Sequence, residues 1–102
     1  MVNLLFGVHN HQPVGNFEYV FKKAAEDCYR PFINLLYNYP QIKSTLHFSG
    51  SLIDWLLEND PALLQKVKQM VKRSQVEILT GAYYEPVLPV IPQRDRLGQI
   101  NM

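Results

Sequence analysis

Leu4-Leu5-Phe6-Gly7-Val8-His9-Asn10-His11-Gln12-Pro13 decides how the rest of the chain is read. An apolar run over residues 4–8 gives way abruptly to a polar turn. A short continuous apolar run of this kind suits a strand buried on both faces, as in parallel sheets covered by helices. Loops leaving the carboxyl ends of such strands line the ligand site in α/β folds. Two imidazoles and a carboxamide there can bind a polar ligand, hold a metal or shuttle protons; the bland alternative is that they satisfy backbone groups of a tight turn. Pro13 fixes one φ, and Gly15 permits a tight return toward the helix that follows.

Working outward, residues 2–8 read as the first strand. Asn16 is placed to cap a helix over residues 17–29, with an apolar stripe of Val20, Phe21, Ala24, Ala25 and Cys28. Pro31 interrupts that helix and suits the first position of a new one, which carries Phe32, Ile33, Leu35 and Leu36 and stops near Asn38. Residues 43–48 form a second strand, with Thr45 and His47 on one face and Leu46 and Phe48 on the other. Ser51 with Asp54 resembles a capping box, and Asp60-Pro61 opens a further helix to about residue 73. A third strand spans residues 76–80, and a last helix after Pro92 is expected to bury Leu97 and Ile100.

Strands alternating with helices imply an α/β fold with parallel strands and right-handed crossovers. Three parallel strands cannot close a barrel and leave two open edges. The chain therefore reads as the opening part of a barrel, or as a unit whose edges are covered by copies of itself.

Composition agrees with a folded domain: 47% of residues are hydrophobic and 12% aromatic. A net charge of +1 gives no bulk attraction to nucleic acid or anionic membrane. Cys28 is the only cysteine, so no internal disulfide or thiolate cluster forms, which favours a reducing compartment. The apolar run at the start is far too short to cross a bilayer. A cytoplasmic location is the expectation.

His9 and His11 stand two apart, so an extended backbone places both rings on one face, a pair that a zinc site also uses. Glu77 lies among apolar strand neighbours, where a carboxylate is costly unless paired. Tyr83, Tyr84 and Glu85 follow the third strand and project on the same rim as His11. A lone strand histidine such as His47 is more often a satisfied core group, and Trp55 and Cys28 read as core.

These residues resemble three sequence blocks, in order, of glycoside hydrolase family 57, the 4-α-glucanotransferases and α-amylases. The resemblance rests on His-Asn-His-Gln-Pro-Val-Gly-Asn-Phe at residues 9–17, on His47-Phe48-Ser49-Gly50 before Trp55, and on Gln75-Val76-Glu77-Ile78 running on to Tyr84-Glu85-Pro86. It spans essentially the whole chain in order. It implies the N-terminal part of a seven-stranded (β/α) barrel acting on α-1,4-glucan or maltooligosaccharide with retention, without metal or other cofactor. It places His9, His11, Gln12, Glu77, Tyr84 and Glu85 in the sugar-binding wall. Many members write the second block Gly-x-x-Glu, and Ser74 stands here in the glycine position.

Retaining glycosidases hold two carboxylates about 5–5.5 Å apart, one the nucleophile and the other the acid/base. The resemblance assigns these to a Glu and an Asp in later blocks, neither of which has a counterpart before Met102. No catalytic residue is therefore expected in this chain, and alone it is expected to be inactive. Two other readings compete. One is a metal-dependent deacetylase or mannosidase-like barrel with His9 and His11 as ligands; the other is a non-enzymatic fragment or assembling subunit. Partners are the glucan and either the rest of the barrel or further copies at the open edges, with no nucleic acid and no membrane.

Overall fold

The structure, a computed structural model, describes residues 2–13, 15–86 and 88–101. Strands β1 (Gly7–Asn10), β2 (Ser44–Phe48) and β3 (Val76–Ile78) form one parallel sheet in the order β1-β2-β3. Each strand lies beside its successor, so both connections step the same way. With right-handed crossovers that puts both helical connections on one face, the winding of a barrel segment rather than of a doubly wound sheet. The alternation in β2 follows: Ser44, Leu46 and Phe48 are buried beneath the helices, while Thr45 and His47 are half-buried on the opposite face.

The first connection runs α1 (Glu18–Ala24), a π-helical turn (Ala25–Tyr29) and α2 (Arg30–Tyr37) without a break. The expected interruption at Pro31 does not occur. Proline lacks the N–H and crowds the carbonyl four residues back; the widened turn, in which the Arg30 N–H reaches the Ala25 carbonyl, relieves both. It also shifts the inward positions to a spacing of four: Phe21, Ala25, Tyr29 and Ile33 are all buried. Tyr29 takes the place expected for Cys28, which is exposed. Asn16 is not the cap either. Phe17 holds that position, and Asn16 Oδ1 instead accepts from the Phe17 N–H at 3.0 Å.

The second connection is α3 (Gly50–Asn59) followed by α4 (Pro61–Lys72). Ser51 lies inside α3 rather than capping it, and its hydroxyl donates to the Gln12 carbonyl. Asp60 caps α4 as expected, accepting from the Leu63 N–H at 3.4 Å while pairing with Arg30 at 2.9 Å. Leu52 and Leu56 from α3 join Leu63, Val67 and Met70 from α4 in a core shared with Ile33, Leu36 and Leu46. Trp55 sits at the edge of this core: its ring stacks on Phe21 at 5.4 Å, and its indole N–H donates to Glu18.

The chain turns into β3 through Ser74, whose φ of 60° is left-handed. Beside it the buried Gln75 amide donates to the carbonyls of Leu36, Tyr39 and Ile42 at 2.8, 3.0 and 3.0 Å. One side chain thus ties the end of α2 and the approach to β2 to the start of β3.

Two expectations about the rims are corrected. The first strand is shorter than residues 2–8, beginning at Gly7, and Leu4 and Leu5 are 86% and 95% exposed. β2 starts only at Ser44, so apart from the Phe6 carbonyl, which accepts from the Thr45 N–H at 2.9 Å, the earlier residues have no ladder to join. Burial on both faces fails with it. After a 3₁₀ turn (Leu88–Val90), α5 (Gln93–Asn101) leaves Leu97 and Ile100 exposed rather than buried. Among the described residues no helix is long and apolar enough to cross a membrane.

Candidate functional site

The uncovered face of the sheet carries a row of polar groups. His9 pairs with His47 in the β1–β2 register; one row earlier, Thr45 stands between Gly7 and Glu77. Residues in register on parallel strands point to the same face, so Glu77 shares the histidine face, about 7 Å toward the amino end of the strands. His47, whose sequence setting suggests a satisfied core group, belongs to this row. Its signal was the same-face pairing with Thr45 at a strand's carboxyl end, and pairing with His9 is what a single sequence does not display.

Two loops close on the row. Glu85, from the loop after β3, brings Oε2 to 3.0 Å from His11 Nδ1 and 3.4 Å from His9 Nε2; its Oε1 is 3.4 Å from His47 Nδ1. His9 and His47 stack at 4.8 Å with their Nδ1 atoms 2.7 Å apart. The His11 ring lies nearly parallel to that of His9 at 6.1 Å. His11 Nδ1 and Glu85 Oε1 are shut off from solvent, and the approaches of His11 Nδ1 to Oε2 and of His47 Nδ1 to Oε1 are close contacts rather than well-aligned hydrogen bonds. All three imidazoles therefore surround one carboxylate.

The loop bearing Glu85 is held by α3 and α5. The Gly50 N–H donates to the Tyr83 carbonyl at 3.0 Å, and the N–H groups of Tyr83 and Tyr84 reach the Gln99 carbonyl and side chain at 3.1 and 2.7 Å. The Tyr83 ring lies against Gly50, where an added Cβ would overlap the ring. Glyсine at position 50 is thus required by close approach. Glu85 itself has φ 55°, a left-handed conformation that costs a residue with a side chain about 1–2 kcal/mol. Tyr84 packs edge-on against Tyr83 and lines a cleft with Trp55, Ser51 and Asp54 on the same rim as His11.

The first loop is held from below. The Tyr29 hydroxyl donates to the His11 carbonyl at 3.1 Å and accepts from Gln12 Nε2 at 3.0 Å; burial pushes this phenol's pKa up. Gln12 Oε1 accepts from Asn16 at 2.9 Å. Both ends of the Gln12 amide are therefore engaged within the protein, leaving one N–H to offer a ligand. Asn10 is buried and donates to the His47 carbonyl at 3.1 Å.

His9, His47 and Glu85 each offer one ligand atom within 4.8 Å of the others, the donor set of a metal site. The spacing argues against an ion shared by the two Nδ1 atoms. Two nitrogens on a tetrahedral zinc at about 2.0–2.1 Å lie roughly 3.3 Å apart, whereas 2.7 Å is the separation of a direct N–H···N hydrogen bond.

A singly wound parallel sheet with convergent polar groups at its carboxyl rim defines the barrel class of α/β proteins, whose ligands bind at that end. Within that class the chain belongs to Glycosyl hydrolase family 57, whose sequence profile it matches over residues 5–102. It is 48% identical over 101 residues to the 4-alpha-glucanotransferase of Thermococcus litoralis and 50% identical over 101 residues to the alpha-amylase of Pyrococcus furiosus. Those matches cover 99% of this chain but only 15% and 16% of the relatives. The crystal structure of the Thermococcus litoralis 4-alpha-glucanotransferase superposes on 96% of the chain with a TM-score of 0.92 at 49% identity, again over 15% of that protein. The chain thus spans about one sixth of the length of the curated relatives it matches.

Proposed function

We propose that this chain supplies part of the sugar-binding wall of a retaining, α-glucan-active enzyme of the 4-α-glucanotransferase or α-amylase type. It forms the N-terminal part of a cytoplasmic (β/α) barrel. The observation that carries the reading is the convergence of the loops after β1 and β3 on one uncovered sheet face, where His9, His11 and Glu85 meet. Imidazole nitrogens and carboxylates exchange hydrogen bonds with sugar hydroxyls, and an exposed tyrosine ring such as Tyr84 packs on the apolar face of a pyranose. Glu77, one row down the same face, takes hydroxyls deeper in the barrel. Gln12 holds the first loop and contributes its remaining N–H.

Bond breaking falls to a carboxylate pair outside these 102 residues. The strands here position substrate, which is worth much of a barrier when the geometry is held. The test is His11→Ala and Glu77→Gln, made singly in the polypeptide that carries these residues. Each is expected to lower maltooligosaccharide turnover at least about tenfold, ~1.4 kcal/mol of transition-state stabilisation, with the unfolding midpoint unmoved. Turnover equal to the unaltered enzyme in both variants refutes the site.

A further inference from the structure

The three imidazoles around Glu85 cannot carry their protons in any arrangement they like. A carboxylate only accepts, so a nitrogen lone pair aimed at it is repelled and an N–H is attracted. His11 Nδ1 sits 3.0 Å from Glu85 Oε2, closed to solvent and without an aligned hydrogen bond; at that distance a bare nitrogen lone pair is repelled by the carboxylate, which favours the proton on Nδ1. His9 Nε2 and His47 Nδ1 face the same carboxylate at 3.4 Å each, which places protons there too. The 2.7 Å contact between His9 Nδ1 and His47 Nδ1 admits one proton, and His47 already supplies it. Among arrangements of three neutral rings, Nδ1–H on His11, Nε2–H on His9 and Nδ1–H on His47 keeps every lone pair off the carboxylate; the one His47 proton goes to His9 Nδ1, and Glu85 Oε1 takes no hydrogen bond.

We infer that Glu85 is a positioning residue that fixes these tautomers and so makes His11 Nε2 a hydrogen-bond acceptor. The His11 side chain retains 33% of its exposure, none of it at Nδ1, so what it offers a ligand excludes that atom. On the reading of the site given above, the ligand group at His11 is then a hydroxyl that donates. Glu85 acts through the imidazoles, held by its left-handed backbone and by the Gly50 and Gln99 contacts of its loop.

The three histidines of this chain all lie in this cluster, and their rings are read by long-range proton–nitrogen NMR of the labelled polypeptide that carries these residues. Spectra are recorded near pH 8, above the ordinary imidazole range, and assigned with single His→Asn variants. The expected pattern is a protonated Nδ1 and bare Nε2 for His11 and His47, and the reverse for His9. Glu85→Gln, whose amide also donates, should turn the single His11 tautomer into a mixture, and Glu85→Asp should restore the bias at least in part.

A native spectrum with Nε2–H on His11, a doubly protonated His11, or no change in Glu85→Gln overturns the inference. So does stoichiometric zinc uptake through the Nδ1 atoms of His9 and His47. If Glu85→Gln fails to fold, the native spectrum and Glu85→Asp still decide the matter. No sugar enters the measurement, so loss of glucan turnover and loss of the tautomer pattern are separate failures.

Discussion

The two faces of the small sheet obey different rules. Beneath the helices, Leu46, Leu52, Leu56, Ile33 and Met70 are all but fully buried. On the other face, Gly7, His9 and Glu77 are exposed, and only Thr45 and His47 are half-covered. One face spends its residues on removing apolar surface from water, the term that stabilises the fold. The other brings imidazoles and a carboxylate into contact with one another on a largely open surface.

That contrast is breakable by mutation. The largest effect is expected from Leu56→Ala, which opens a cavity in the covered core and should cost about 2–5 kcal/mol in chemical denaturation. A loss below about 1 kcal/mol would mean that the core is not closed. Gln75→Ala deprives three backbone carbonyls of their donor and should cost about 2 kcal/mol; an unchanged midpoint would show that water replaces the amide freely. Ser74→Gly relieves a left-handed residue while adding unfolded-state entropy, for a net gain of about 0.5 kcal/mol. A loss of stability would show that the serine side chain is required there. The smallest change is expected on the uncovered face: Glu77→Gln should leave stability within about 0.5 kcal/mol. A larger loss in calorimetry would mean that this face also builds the fold.

Much of this division was legible in the sequence. Alternation in residues 44–48 and the helical period through Leu63, Val67 and Met70 predicted the covered side correctly. The placement of His11, Tyr84 and Glu85 on one rim followed from strand order alone. Strand limits were not legible, because a ladder depends on its partner: β1 starts at Gly7, which pairs with Thr45 near the start of β2. The widened turn over Ala25–Tyr29 broke the assumed period, so Cys28 was misplaced and Tyr29 missed. His47 was undervalued because its meaning comes from a neighbour 38 positions away. Ser51 shows a local pattern overruled from afar: its hydroxyl goes to Gln12 instead of its own helix. Ser74 holds a left-handed turn at a backbone cost.

The widened turn has a bearing on how such a chain tolerates change in length. Tyr29 reaches the His11 carbonyl and Gln12 from within that turn. Deleting one residue between positions 25 and 29 would swing everything downstream by about 100° around the axis, carrying the phenol off the loop even if every substitution tested there proved silent. The helix thus serves as a spacer with a fixed count, and insertions or deletions are its vulnerability where point changes are not.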